Sequence, residues 1–158
     1  YAPVPQNVAE AVIAGKRGWS NRTLYRALRN HPYRSDIHVL SYVTEQEKAC
    51  LYQLADVFLY LSVFEGFGLP PLEALLHGVP VIAGHHSSLS EVVGQGALLV
   101  DVYNEEDVVA AVTHVLNDPA IRQLLHDRRS TIAGRYTWQR AAEQTLYALH
   151  AIGERSAQ

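Results

Sequence analysis

Short apolar runs alternate along the chain with stretches whose apolar residues recur every three or four positions. The apolar runs predict strands at 9–14, 36–40, 57–61, 81–83 and 97–100. The periodic stretches predict helices at 21–29, 44–55, 71–77, 88–93, 104–116, 118–134 and 137–152. Because strands and helices alternate and several strands are apolar on both faces, the pattern predicts an α/β fold with a parallel sheet covered by helices on both sides.

Polar residues mark the beginnings of several predicted helices. The start signals are Thr44-x-x-Glu47, Ser88-x-x-Glu91, Asn104 and Asp118-Pro119. The first two are capping boxes, in which a hydroxyl and a glutamate bond reciprocally to backbone N–H groups. The other two place a good N-cap residue before the first helical turn. These signals fix where the helices begin more firmly than the apolar period alone.

One stretch, residues 62–78, concentrates glycine, proline and carboxylate. It follows the apolar run at 57–61 and leads into a helix, so it is a strand, a glycine loop and a helix N-terminus in succession. Pro71 is acceptable at the first helical position and pushes the preceding residue out of helical geometry, so Pro70 is the predicted cap. Gly78 is placed to end the helix. The helix is predicted to bury one apolar face, made of Leu72, Leu75 and Leu76.

This arrangement suits a phosphate, because free N–H groups and the positive end of the macrodipole lie at a helix start. Gly66 and Gly68 would let the backbone approach such a ligand closely. No lysine follows and no third glycine is present, which excludes the common nucleotide-binding fingerprints. Glu65 and Glu73 suit sugar hydroxyls. Each residue also has a plain alternative: a turn for the glycines, a solvated loop for Glu65 and helix stabilisation for Glu73.

The combination of these residues resembles a known family signature. The stretch 64–70, the segment 72–74 and the run 78–82 look like the motif of retaining GT-B glycosyltransferases of family 4, also called glycosyltransferase group 1. The likeness extends from about Ala14 to about Ala142 and is most specific at the Glu-x7-Glu spacing. It implies a Rossmann-like domain, the C-terminal half of a GT-B fold, which binds the nucleotide sugar.

The resemblance also implies roles for individual residues. Glu73 would bind the ribose hydroxyls of the donor, and Glu65 would face the donor sugar as the catalytic carboxylate. The backbone of Gly66, Phe67, Gly68 and Leu69 would contact the sugar and diphosphate. The turn at Tyr42 and Val43 matches the family segment that packs on the base, although ordinary packing at the end of a strand explains it as well.

Three further sets of residues are weaker candidates. Lys16 and Arg17 could supply charge to the diphosphate, but solvated surface charge explains them better. Glu91 matches a family glutamate, but its capping box accounts for it. His85-His86 lacks the helical i, i+4 spacing of a metal pair, so we expect a polar loop rim and no metal.

Composition and charge limit the domain count, the partners and the cellular compartment that we expect. The 158 residues fit one domain, 1–158, with a core of its own. A net charge of −3 without a basic block argues against nucleic acid as a partner. No apolar run approaches the roughly 18 residues that span a bilayer. Cys50 is the only cysteine and is predicted to be a small core residue, which suits a reducing compartment, so a cytoplasmic location is expected.

The chain begins with Tyr1 and contains no methionine, so we expect a part of a longer protein. The N-terminal acceptor domain and the first strand and loop of this domain are expected to lie outside it. The expected activity is sugar transfer from a UDP-, GDP- or ADP-sugar, without a cofactor, to a glycan, lipid or small-molecule hydroxyl bound through the missing domain. Any peripheral membrane contact would use that part too. The alternatives are a non-catalytic nucleotide-binding module and an interaction domain.

Overall fold

The computed structural model describes residues 10–16 and 22–156. The strands are β1 (Ala11–Ala14), β2 (Ile37–Leu40), β3 (Phe58–Tyr60), β4 (Val81–Gly84) and β5 (Ala97–Val100). The helices are α1 (Arg22–Asn30), α2 (Glu45–Leu54), α3 (Leu69–Leu76), α4 (Leu89–Val92), α5 (Glu105–Asn117), α6 (Pro119–Ala133) and α7 (Trp138–Ser156). The chain divides into two compact units, residues 1–50 and residues 51–158.

The first unit contains a parallel pair of strands. β1 pairs with β2 in the register that sets Ala11 against Ile37 and Ala14 against Leu40. The backbone N–H of Gly15 continues the ladder by donating to the carbonyl of Ser41 at 3.0 Å. All four residues of β1 are exposed, as are the last three of β2.

The second unit contains a parallel sheet in the order β3-β4-β5. β4 is buried along its whole length, and its successive side chains point to opposite faces. Val81 and Ala83 join a cluster that includes Leu72 and Leu75 of α3. Ile82 joins a second cluster with residues of α5 and α6. The sheet is therefore covered by helices on both faces, which confirms the predicted α/β fold.

Most of the predicted helix starts are confirmed. Glu47 accepts hydrogen bonds from the Thr44 backbone N–H (2.7 Å) and hydroxyl (2.8 Å), and the Glu47 N–H donates to that hydroxyl (3.2 Å). These bonds hold the pKa of Glu47 below its usual value. Asn104 Oδ1 accepts from two N–H groups of α5, and Asp118 Oδ1 accepts from the Ala120 N–H at the start of α6.

The start of α3 differs from the prediction. The helix begins at Leu69, two residues earlier than the paired prolines suggested, and Gly68 is its N-cap instead of Pro70. Gly68 has φ +95°, a conformation that glycine adopts without steric cost. The predicted end is confirmed, because the Gly78 and Val79 N–H groups close the helix on Leu75 and Ala74 carbonyls.

Three burial or capping predictions were wrong. Leu72 and Leu75 are buried as expected, but Leu76 is 50% exposed, because it points away from the sheet. Cys50 is exposed on α2 and is not a core residue. Ser88 has helical dihedrals and makes no side-chain cap bond at α4, so Ser88-x-x-Glu91 is not a capping box.

No helix in the described part of the chain is long and apolar enough to cross a membrane. α7 instead carries several exposed apolar side chains: Trp138 at 93%, Leu146 at 57%, Leu149 at 60% and Ile152 at 61%. Ala142 is exposed as well, beside Leu146 and Leu149 on the same helix.

Candidate functional site

The loops after β3 and β4 meet at the carboxyl edge of the three-stranded sheet. The backbone N–H of Glu65 donates to Ser87 Oγ at 3.0 Å, and Ser88 Oγ donates to the Glu65 carbonyl at 3.0 Å. Two hydroxyls from one loop thus hold both backbone polar groups of Glu65. Ser87 has φ +59°, which is uncommon for a residue other than glycine. The loop after β4 therefore fixes the position of the predicted catalytic carboxylate.

The Glu65 side chain is held by a hydrogen bond from a tyrosine. The Tyr60 hydroxyl, at the end of β3, donates to Glu65 Oε1 at 2.8 Å. Burial, the hydrogen bond to Glu65 and the negative charges nearby raise the pKa of Tyr60 to about 12. Tyr60 therefore remains a neutral donor at physiological pH, and Glu65 is held by contacts at its backbone and at its carboxylate.

Glu73 is held in a similar way by Tyr52 of α2. The Tyr52 hydroxyl donates to the Pro70 carbonyl at 3.2 Å and to Glu73 Oε2 at 3.3 Å. Tyr52 is only 6% exposed, and its ring packs against Phe58 and His77. Because α3 begins at Leu69, Glu73 is its fifth residue, beyond the first turn where the macrodipole acts most strongly. Helix stabilisation therefore explains Glu73 less well than the sequence suggested.

The glycine loop at 66–69 is the predicted source of backbone donors for an anion. Pro70 and Pro71 occupy the first turn of α3 and carry no backbone N–H, so the helix start is poorer in donors than predicted. Among the described residues, no acceptor is bonded to the backbone N–H groups of positions 66–69. An added Cβ at Gly68 would lie 2.5 Å from Leu89 Cδ2, whereas one at Gly66 would meet nothing within 4 Å. The loop is thus tightly packed at Gly68 and open at Gly66.

The predicted base-binding residues belong to the first unit. Tyr42 is 66% exposed and Val43 is half-buried, both just after β2. Lys16 Nζ lies 5.4 Å from the centre of the Tyr42 ring, a cation–π distance. Arg17 lies outside the described residues. Tyr42 and Lys16 are therefore neighbours at the carboxyl edge of the β1–β2 pair.

Sequence interpretation missed the side chains that support this site. The sequence places Tyr60 only within the apolar run 57–61, does not single out Tyr52, and predicts Ser88 as a cap. Asp101 was not considered at all, although it directly follows β5 just as His85 and His86 directly follow β4. One ligand atom from each of these last three residues lies within 4.8 Å of the others. The position of Asp101 at a strand end was the signal that could have found it.

Comparison with known proteins identifies the family. The family model described as glycosyl transferases group 1 matches residues 3–135 of the chain. The chain belongs to this family. The group 1 domain is 34% identical over 137 residues to O-antigen chain mannosyltransferase B of Escherichia coli, covering 87% of this chain and 36% of that protein. The group 1 domain thus spans about a third of its relative, and the predicted membership of glycosyltransferase group 1 is confirmed.

Solved structures show the same fold. The group 1 domain matches sucrose-phosphate synthase from Thermosynechococcus elongatus with a TM-score of 0.78 at 22% identity, covering 91% of this chain and 38% of that one. It matches Alr3699/HepE of Anabaena, determined in complex with UDP and glucose, with a TM-score of 0.76 at 17% identity, covering 90% and 40%. At these identities the matches confirm the fold.

Proposed function

We propose that this chain is the donor-binding domain of a retaining GT-B glycosyltransferase of family 4. The full reaction would move a sugar from a nucleotide diphosphate to an acceptor hydroxyl with the anomeric configuration kept. The observation that carries the proposal is the pair of carboxylates, Glu65 and Glu73, each bonded to a tyrosine hydroxyl and flanking a loop with free N–H groups. Family membership supports the same conclusion.

The proposed roles follow the chemistry of each group. Glu73 binds the ribose hydroxyls, and Glu65 orients the donor sugar, so that hydroxyl donors meet carboxylate acceptors. The backbone of Gly66, Phe67, Gly68 and Leu69 contacts the sugar and diphosphate, where N–H groups stabilise the charge that develops on the leaving group. Tyr42 and Val43 contact the base. No cofactor or metal takes part in this proposal.

The donor is a nucleotide sugar such as a UDP-, GDP- or ADP-sugar. Alr3699/HepE supports a UDP-sugar, because it was determined in complex with UDP and glucose. The name of the Escherichia coli relative supports mannose as the transferred sugar. A mannosyl donor is therefore our first choice.

We propose that further chain segments complete the enzyme. An acceptor domain would bind the glycan, lipid or small molecule, and any contact with a membrane surface would pass through it. A first strand and loop would supply phosphate-binding cations. In the described part of the chain, β1 pairs only with β2 and β3 only with β4, so each has one edge open to another strand. We place the protein in the cytoplasm, which the exposed free thiol of Cys50 suits.

Calorimetry tests the donor assignment. The chain should bind UDP, GDP or ADP, or one of their sugars, more tightly than free glucose or mannose, because the site offers groups for ribose and phosphate together. Tighter binding of a free sugar would contradict the proposal, and binding of no ligand would leave an interaction domain as the better interpretation.

A further inference from the structure

The ends of β4 and β5 bring together two imidazoles and a carboxylate outside the donor site. Gly84 pairs with Val100 in the parallel register, so the residues that follow, His85, His86 and Asp101, leave the sheet side by side. One ligand atom from each lies within 4.8 Å of the other two. We infer that these three side chains form a binding site for a divalent transition-metal ion of the Zn²⁺ type.

The orientation of His85 leaves one nitrogen available. Its Nδ1 lies 2.9 Å from the Val100 carbonyl oxygen, which also accepts the His85 backbone N–H at 3.0 Å. Because a carbonyl oxygen only accepts, Nδ1 carries the proton and Nε2 carries the lone pair. A backbone carbonyl that holds the second ring nitrogen is the usual support of a metal-ligating histidine. The strand ladder itself therefore sets the tautomer needed for metal binding.

His86 has a nitrogen that no protein group satisfies in the described part of the chain. Its Nε2 is buried from solvent and has no hydrogen-bond partner there. The nearest carboxylate oxygen, Asp101 Oδ1, is 3.9 Å away, too far for a hydrogen bond. The two histidine rings lie side by side, with their centres 3.9 Å apart. A buried nitrogen without a partner is unfavourable, and a metal ion would satisfy it.

Asp101 is held in place by its own backbone surroundings. Its Oδ1 accepts the Tyr103 N–H at 3.0 Å, and its own N–H donates to Asp107 Oδ2 at 2.8 Å. The carboxylate is thus oriented before any ion binds. Two imidazoles and one carboxylate, with water in a fourth position, make a typical zinc ligand set.

The distances fit zinc after a small adjustment. Zinc bonds of about 2.0–2.2 Å place tetrahedral ligand atoms roughly 3.5 Å apart, so atoms now within 4.8 Å must approach by about 1.5 Å at most. Half-exposed His86 can make most of that movement by side-chain rotation, while His85 keeps its bond to the Val100 carbonyl. Imidazole ligands favour Zn²⁺, Co²⁺ or Ni²⁺ over Mg²⁺, which prefers oxygen. From the sequence, the missing i, i+4 spacing of the two histidines argued against a metal, and Asp101 was not considered.

A metal at this site would act on the loop that holds Glu65. Ser87 and Ser88, which bond to the Glu65 backbone, directly follow the two histidines. A metal bound to His85, His86 and Asp101 would tie this loop to the end of β5. This consequence for donor binding rests on the proposed function, whereas the metal site itself does not.

Titration with Co²⁺ tests the inference. The chain is prepared without a histidine tag, and the visible absorption of bound Co²⁺ is followed, with Zn²⁺ as the competitor and Mg²⁺ as the negative control. We expect one ion per chain, displacement by Zn²⁺ and no displacement by Mg²⁺. His86→Asn and Asp101→Asn should each weaken binding at least tenfold. His126→Asn is the matched control, since exposed His126 also lies near an aspartate, at 3.7 Å from Asp127.

Circular dichroism and the thermal unfolding midpoint of each variant check that the fold is kept. A midpoint that rises with Zn²⁺ in the unchanged chain and not in His86→Asn supports the site independently of the absorption signal. The inference would be overturned if the folded chain bound no Co²⁺, or if His86→Asn and His126→Asn lost Co²⁺ affinity equally. Nucleotide titrations of the same variants separate a failed metal site from a failed donor site.

Discussion

At the scale of single residues, the candidate site depends on tyrosine hydroxyls bonded to carboxylates. Tyr60 donates to Glu65, and Tyr52 donates to Glu73, so each carboxylate has one oxygen committed to the protein. A carboxylate fixed in this way presents its remaining lone pairs in a set direction, which lowers the entropy cost of binding a sugar. The tyrosines are therefore positioning residues in the proposed function.

Glu73→Ala tests the ribose assignment. We expect nucleotide binding to weaken by about 1–3 kcal/mol, because the ribose hydroxyls lose their acceptor. Calorimetry and thermal unfolding should be measured on the same variant, with Tyr52→Phe beside it. Tyr52→Phe keeps the Glu73 carboxylate but removes a hydroxyl that positions it. We therefore expect a smaller loss of nucleotide affinity than for Glu73→Ala. A drop in stability with unchanged nucleotide affinity would show that Glu73 serves only the helix.

The ionisation of Tyr60 gives a prediction for pH. Its folded pKa of about 12 lies above the value near 10 of an unfolded tyrosine. The stabilisation from this difference is therefore fully present below pH 10 and is lost as the pH rises towards 12. Unfolding in urea between pH 8 and pH 11 should show a steeper alkaline loss of stability for the unchanged chain than for Tyr60→Phe. Parallel curves would contradict the Tyr60–Glu65 bond.

At the scale of elements, the conformation of the glycine loop and the start of α3 depend on one residue, Gly68. Gly68 caps the helix in a left-handed conformation while its Cα packs against Leu89 of α4. No other residue type combines a low-cost positive φ with that contact. The loop thus joins two helices of the unit as well as forming the proposed phosphate site.

Gly68→Ala should destabilise the second unit strongly. The positive φ alone costs about 1–2 kcal/mol for an alanine, and the 2.5 Å approach to Leu89 Cδ2 adds strain, so about 2–3 kcal/mol is expected. Gly66→Ala is the matched control and should change stability by less than about 0.5 kcal/mol, since its Cβ would meet nothing. Urea unfolding of both variants measures the difference. Equal losses would mean that the loop is not packed as described.

At the scale of the whole molecule, the chain is one part of a family enzyme. It spans 36% of the Escherichia coli relative, and several apolar side chains of α7 are exposed in the described residues. A bilobal transferase reacts in the cleft between its domains, so we propose that the acceptor side and the phosphate-binding cations come from other chain segments.

We predict that the 158-residue chain by itself does not transfer sugar. Donor binding should also be weak, because the proposal takes the cations for the diphosphate from other chain segments. A radiolabelled donor assay with glycan, lipid and small-molecule acceptors measures this, with a protein that also contains the preceding residues as the positive control. Repeated turnover by the purified 158-residue chain would require a complete active site within it and would contradict the proposal.

The sequence by itself determined the order of strands and helices, the Asn104 and Asp118 caps and the loop that carries Glu65 and Glu73. These features depend on contacts between near neighbours, which periodicity and capping patterns record directly. Only the tertiary structure decided that Tyr52 holds Glu73, that Ser88 bonds to Glu65 instead of capping α4, and that Cys50 is exposed. It also placed Asp101 beside His85, because the register of two parallel strands decides which strand ends are adjacent. Such contacts join residues distant in the chain, and their formation depends on how the elements pack.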